Sequence, residues 1–105
     1  MTQNIRNHQK HHPDSVESLA QLIRESGVLQ RFGIQHLGVF GSFARHEQAN
    51  DIDLLIEDDI SLEDAMAFKK ELSSLVDYRL DVMLKRFANP IVLYRAQKDM
   101  YYVER

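Results

Sequence analysis

A chain of 105 residues with a net charge of −3 and no cysteine has room for one modest core and excludes disulfide staples and thiolate metal sites. Its mild acidity gives no global basic field for nucleic acid, and no apolar run approaches the roughly 20 residues that a bilayer span needs. The polar start MTQNIRNHQKHHPD has no apolar stretch of the secretory kind, so a cytoplasmic location is expected.

Residues 1–13 read as a flexible polar tail ahead of a single domain over 14–105. His8, His11 and His12 in that tail could take up a metal adventitiously, with no buried scaffold to fix their geometry. Asp14, with Glu17 three residues on, has capping-box spacing, and Val16, Leu19, Ala20 and Ile23 recur at helical intervals. The pattern predicts a helix to about Ser26, a break at Gly27 and a continued apolar face at Val28 and Leu29. IQHLGVFG, ending at Gly41, reads as a strand running into a tight turn, and Ser42 to Glu47 as one helical turn. After the loop HEQAN, DIDLLIE is the next strand.

Ser61 opens a second long helix, with Asp64 in the capping position and Ala65, Phe68, Leu72 and Leu75 as its buried stripe. YRLDVMLK alternates, with Leu80, Val82 and Leu84 on one face and Arg79, Asp81 and Met83 on the other. Pro90 suits the first turn of a last helix carrying Ile91, Leu93, Tyr94 and Ala96. MYYVE reads as a closing strand, and Tyr94 with Met100 to Val103 either packs on the core or forms a partner surface. Strands alternating with helices predict an α/β fold, a sheet covered mainly on one face.

Two carboxylates stand inside the most apolar of these strands. Asp51 and Asp53, two residues apart, project from one face about 6.5–7 Å apart while Ile52, Leu54 and Ile56 face the core. Asp81 also lies opposite the apolar face of its strand, so neighbouring strands would put all three acids on one surface. Such a cluster repels itself unless a divalent cation neutralises it, and oxygen-only ligands favour Mg²⁺ or Mn²⁺ over Zn²⁺. Gly41 and Ser42 offer backbone N–H groups and a hydroxyl to an anion. Taken singly, a D-x-D pair also suits the wet face of a half-exposed sheet, and Gly-Ser an ordinary turn.

Together, in GVFGSFARHEQANDIDLLIEDD, they resemble the signature of the minimal nucleotidyltransferases, the MNT-type members of the DNA polymerase β-like superfamily. The resemblance implies the nucleotidyltransferase fold, with a small mixed sheet, and transfer of a nucleoside monophosphate from an NTP, in the first instance ATP, to an acceptor hydroxyl. It implies that Asp51, Asp53 and Asp81 are catalytic and hold the metals, and that Gly41, Ser42 and Arg45 bind the nucleotide. Arg45 could equally pair with Glu47. His46 stands where the family has glycine, and the eight residues between Ser42 and Asp51 are about two fewer than in the antitoxin-like members. Those members pair with HEPN-domain proteins as toxin–antitoxin systems, so a homo- or hetero-oligomer is implied, and a non-catalytic binding module of the same fold is the rival reading. Action on RNA ends is disfavoured by the charge balance.

Overall fold

The choice of capping residue sets where the first helix begins. The computed structural model describes residues 9–105, and in it Ser15, not Asp14, caps α1 (Val16–Ser26). Ser15 is extended and its Oγ accepts from the Ser18 N–H at 3.1 Å, which fixes the start one residue later than the Asp14 spacing predicts. Gly27 ends α1 in the left-handed region at φ 73°, its N–H bonded to the Arg24 carbonyl, and the chain turns into α2 (Val28–Arg31).

The sheet strands and their connections follow as β1 (Leu37–Phe40), the short α3 (Gly41–Ala44), β2 (Asp51–Ile56), α4 (Leu62–Ser73), β3 (Arg79–Leu84), a 3-10 turn (Lys85–Phe87), α5 (Pro90–Gln97) and β4 (Tyr101–Val103). Ser61 Oγ accepts from the Asp64 N–H at 3.0 Å to start α4, and Asn89 Oδ1 accepts from the Ile91 N–H at 2.8 Å to start α5 around Pro90.

The strands form one mixed sheet in the order β3-β2-β1-β4, with β2 parallel to β3 and β1 antiparallel to both β2 and β4. Alternation sends Leu37, Val39, Ile52, Leu54, Ile56, Leu80 and Leu84 to one face, where they meet α1, α2 and α4 through Leu19, Ile23, Leu29, Phe68 and Leu72. That is the main core.

The last helix does not join it. Of the stripe expected on α5, only Ala96 is buried, while Ile91 and Tyr94 are each 64% exposed. Ala96 and the fully buried Leu55 lie outside the main cluster, on the sheet's second face, and a Cβ on Gly38 would overlap the Met100 sulfur. The segment after β3 therefore partly covers the second face rather than extending the first. Leu75 falls beyond the end of α4 and packs against the core only partly buried.

The described end of the expected loose tail is fastened. His11 donates its N–H to the Leu75 carbonyl at 2.8 Å and accepts from the Asp77 N–H at 2.7 Å, forming a parallel bridge opposite Val76. Tyr78 donates its hydroxyl to the Pro13 carbonyl at 2.7 Å and stacks on the His12 ring with centroids 4.5 Å apart. His8 lies outside the described residues. No described helix is long and apolar enough to cross a membrane.

Candidate active site

Strand register decides which polar side chains meet. In the β1–β2 pair Phe40 stands opposite Asp53, and in the parallel β2–β3 pair Asp53 stands opposite Asp81, so the three form one row across the sheet. Asp51 follows two residues before Asp53, opposite Arg79. By alternation, Asp51, Asp53 and Asp81 all project from the face opposite the main core. Directly opposed side chains on neighbouring strands are the nearest neighbours a sheet offers, so Asp53 and Asp81 are set side by side by the register itself.

Gly41 is the next residue after Phe40 and has φ 79°. A Cβ at this position would overlap Asp53 Oδ2 and lie 3.3 Å from its Cγ. Only glycine combines this backbone conformation with so close an approach, and the result is a Gly-Ser turn resting on the Asp53 carboxylate. The short link between Ser42 and Asp51 thus leaves the turn and the acid in contact. Among the described residues Ser42 Oγ makes no internal hydrogen bond, whereas the Ser42 carbonyl accepts from the Glu47 N–H at 3.0 Å and closes the loop.

The electrostatics follow from this crowding. Asp53 is half-buried while Asp51 and Asp81 are exposed. Burial, then the charge of Asp81, then that of Asp51 push the Asp53 carboxyl above the usual aspartate range, against a smaller pull from Arg45. Among the described residues, no three acidic or histidine side chains are drawn into a preformed cage. Neighbouring anions without a cation between them repel. An all-oxygen set in which the central carboxylate is disfavoured as an anion fits a hard divalent cation of the Mg²⁺ or Mn²⁺ kind.

Of the two roles open to Arg45, the ion pair is the one the structure makes, and it makes it twice. Nε and Nη2 donate to the two oxygens of Glu47 at 3.0 and 3.3 Å, and Nη1 donates to Asp99 Oδ2 at 2.8 Å. The Glu47 and Asp99 hydrogen bonds raise the Arg45 pKa further above its ordinary value. His46 takes φ 64°, a left-handed conformation that accounts for the glycine of the family pattern at this place.

Two features had no signal in the sequence. Asp99 lies 54 residues from Arg45, beyond any local periodicity. An apolar groove of about 410 Å³ runs between α4 and β3 past Leu62, Met66, Met83 and Phe87 to Asp81; its members come from three elements, and their spacing reveals nothing until the sheet order is known.

A nucleotidyltransferase domain family model matches residues 23–103. The chain is 30% identical over 94 residues to the protein adenylyltransferase MntA of Thermococcus cleftensis, covering 86% of this chain and 94% of that one. Among solved structures it is similar to a MntA-HpeT toxin-antitoxin, with TM-score 0.60, 18% identity and coverage of 77% of this chain and 70% of that one. It is also similar to a chain of the complex of tri-AMPylated Shewanella oneidensis HEPN toxin with MNT antitoxin, with TM-score 0.57, 19% identity and coverage of 80% and 71%. At these identities the solved structures speak for the fold.

Proposed function

The chain belongs to the nucleotidyltransferase domain family, and on that premise we propose that it transfers AMP from ATP to a hydroxyl of a partner protein with an HEPN domain. The observation that carries this reading is the row Phe40–Asp53–Asp81 with the Gly41 backbone laid on Asp53. It brings a glycine turn with room for close backbone approach and three carboxylates to one part of the sheet, which supports a phosphate and cation site there. The protein adenylyltransferase relative and the HEPN complex of the structural neighbour support the choice of AMP and of partner.

In this reading Asp51, Asp53 and Asp81 would hold Mg²⁺ or Mn²⁺, which when bound neutralises phosphate charge and lowers the pKa of the attacking hydroxyl. Gly41 and Ser42 receive the triphosphate, the glycine by letting its backbone come close and the serine by its unengaged hydroxyl. Asp81, exposed on the edge strand β3, orients the acceptor hydroxyl and helps to remove its proton. The acceptor oxygen forms a bond to the α-phosphorus as the bond from that phosphorus to the pyrophosphate oxygen breaks. Pyrophosphate leaves with its charge held at the Gly-Ser turn. Positioning and charge stabilisation supply most of the catalysis in such a transfer.

The test is incubation of the chain and its HEPN-domain partner with ATP labelled at the α-phosphate, with Mg²⁺, with Mn²⁺ and with EDTA. Label on the partner, lost with EDTA and in Asp53→Asn, is the expected result. Tight binding of the partner with no label transferred under any condition would identify a binding module instead. Competition by GTP and CTP reads the base preference.

A further inference from the structure

The fork of Arg45 is already engaged. Nε, Nη1 and Nη2 each reach a carboxylate oxygen within 2.8–3.3 Å, and the two partners, Glu47 and Asp99, together carry one more unit of negative charge than the guanidinium neutralises. A phosphate would have to displace one of these two carboxylates to gain the Arg45 donors. The same contacts tie the turn after α3 to the turn after α5, a connection that holds the end of α5 beside Gly41.

A second arginine faces the same space. Phe40, Gly41, Arg45, Arg95 and Asp99 are among the residues that line one cavity of about 260 Å³. Among the described residues no carboxylate lies within ion-pair distance of Arg95, and its side chain is exposed. Its backbone is nonetheless well placed, because the next residue, Ala96, is the one position of α5 that is buried against the sheet. Arg95 therefore combines an uncommitted charge, a fixed base and a shared cavity wall with the glycine of the Gly-Ser turn.

We propose that Arg95 supplies the side-chain contact to the nucleotide phosphates, while Arg45, with Glu47 and Asp99, is a clasp that positions the Gly-Ser turn and the end of α5. The proposal rests on the reading above that Gly41 and Ser42 receive the triphosphate. It assigns a different residue from the one that motif position singles out. Arg45 is a positioning residue; Arg95 touches the ligand.

Calorimetric binding of the α,β-methylene analogue of ATP in the presence of Mg²⁺ tests it, since that analogue cannot be cleaved at the bond broken in AMP transfer. Arg95→Ala should weaken binding on the order of tenfold or more, the loss of one charge-assisted contact, with Tm unchanged. Arg95→Lys should stay within about threefold of the unmodified chain, because a point charge still serves a phosphate. Added KCl should weaken the unmodified chain more steeply than Arg95→Ala, a difference that a purely structural role would not produce. Arg45→Ala and Asp99→Asn should each lower Tm, and the double variant should lower it by less than the two together. Arg95→Ala binding the analogue as tightly as the unmodified chain would overturn the proposal alone. So would a larger loss of binding in Arg45→Ala at unaltered Tm. Failure of the unmodified chain to bind the analogue at all is a different result, and would remove the reading of the Gly-Ser turn together with this one.

Discussion

The two faces of the sheet are built from alternate residues of the same strands, yet they do opposite things with burial. On the core face Ile52, Leu54 and Ile56 are fully buried against α1, α2 and α4, each contributing on the order of 1.5–3 kcal/mol. On the other face the same strand carries Asp51 and Asp53, and Asp53 is half-buried beside two like charges. One face gathers stability, the other holds like charges close together. A substitution on the core face should therefore act chiefly on stability, and one on the acid face chiefly on activity. The largest expected effect is on the core face: Phe68→Ala, removing a fully buried ring that meets Phe32 edge-on, should cost about 3–5 kcal/mol in urea denaturation. That is a large share of the roughly 5–15 kcal/mol that holds a domain together. Nucleotide transfer by the molecules that remain folded should be little changed.

Asp53→Asn is the mirror experiment. It keeps the shape and removes the charge, so transfer of labelled AMP should fall by on the order of 10²–10³-fold, as expected for loss of a central electrostatic group, while Tm at neutral pH rises. The pH dependence carries the sign. A carboxyl whose folded-state pKa is raised binds its proton more tightly in the folded chain, so its contribution to stability is most favourable at low pH and declines as pH rises from the ordinary aspartate value of 3.8 through the raised one. Asp58 supplies the contrast. Burial pushes its carboxyl up, but the N–H of His36 at 2.8 Å, the His36 ring at 3.2 Å and the N–H of Gln35 at 2.9 Å outweigh it and hold the carboxyl below the usual range. Its contribution is present above 3.8 and lost as pH falls. Acid unfolding followed in Asp53→Asn and Asp58→Asn should thus shift in opposite directions, the first making the chain more sensitive to acid relative to neutral pH and the second less.

Gly41→Ala comes next in size. The left-handed backbone and the overlap with Asp53 Oδ2 act together, and the strain should lower stability by about 1–3 kcal/mol. Displacing the turn by about 1 Å should also reduce transfer on the order of a hundredfold. Unchanged activity in this variant would mean that the close contact of turn and acid is incidental.

Much of this arrangement was legible from period alone, and the rest shows what period omits. Alternation in DIDLLIE and RLDVML is enough to put Asp51, Asp53 and Asp81 on the faces opposite the apolar residues. It does not say that Asp53 pairs with Asp81 rather than two positions away, which depends on the parallel register of β2 and β3. The stripe on α5 is a similar case: Ile91 and Tyr94 have helical spacing, but spacing shows which residues share a face and not whether anything covers it. Asp14 and Ser15 are both good caps, and the choice fell on the one whose oxygen reaches the Ser18 N–H. His11 is held through its backbone, so a polar composition gave no warning of it. The Arg45–Asp99 contact joins two turns that only the folded sheet brings together.

The smallest expected effect lies in the loop between α3 and β2, where sequence and conformation disagree. His46 has φ 64°, and its Cβ crowds the carbonyl that follows it in that conformation. Among the described residues its ring makes no hydrogen bond or ion pair that would offset this cost. His46→Gly removes the crowding at the expense of a more flexible unfolded chain, and the net gain should be about 0.5–1 kcal/mol in denaturant unfolding. Because the Arg45 and Glu47 contacts on either side depend on this turn, the glycine should leave nucleotide binding intact if the conformation itself is what the loop requires. A weaker nucleotide affinity in His46→Gly, at equal or greater stability, would instead show that the imidazole itself contributes to nucleotide binding.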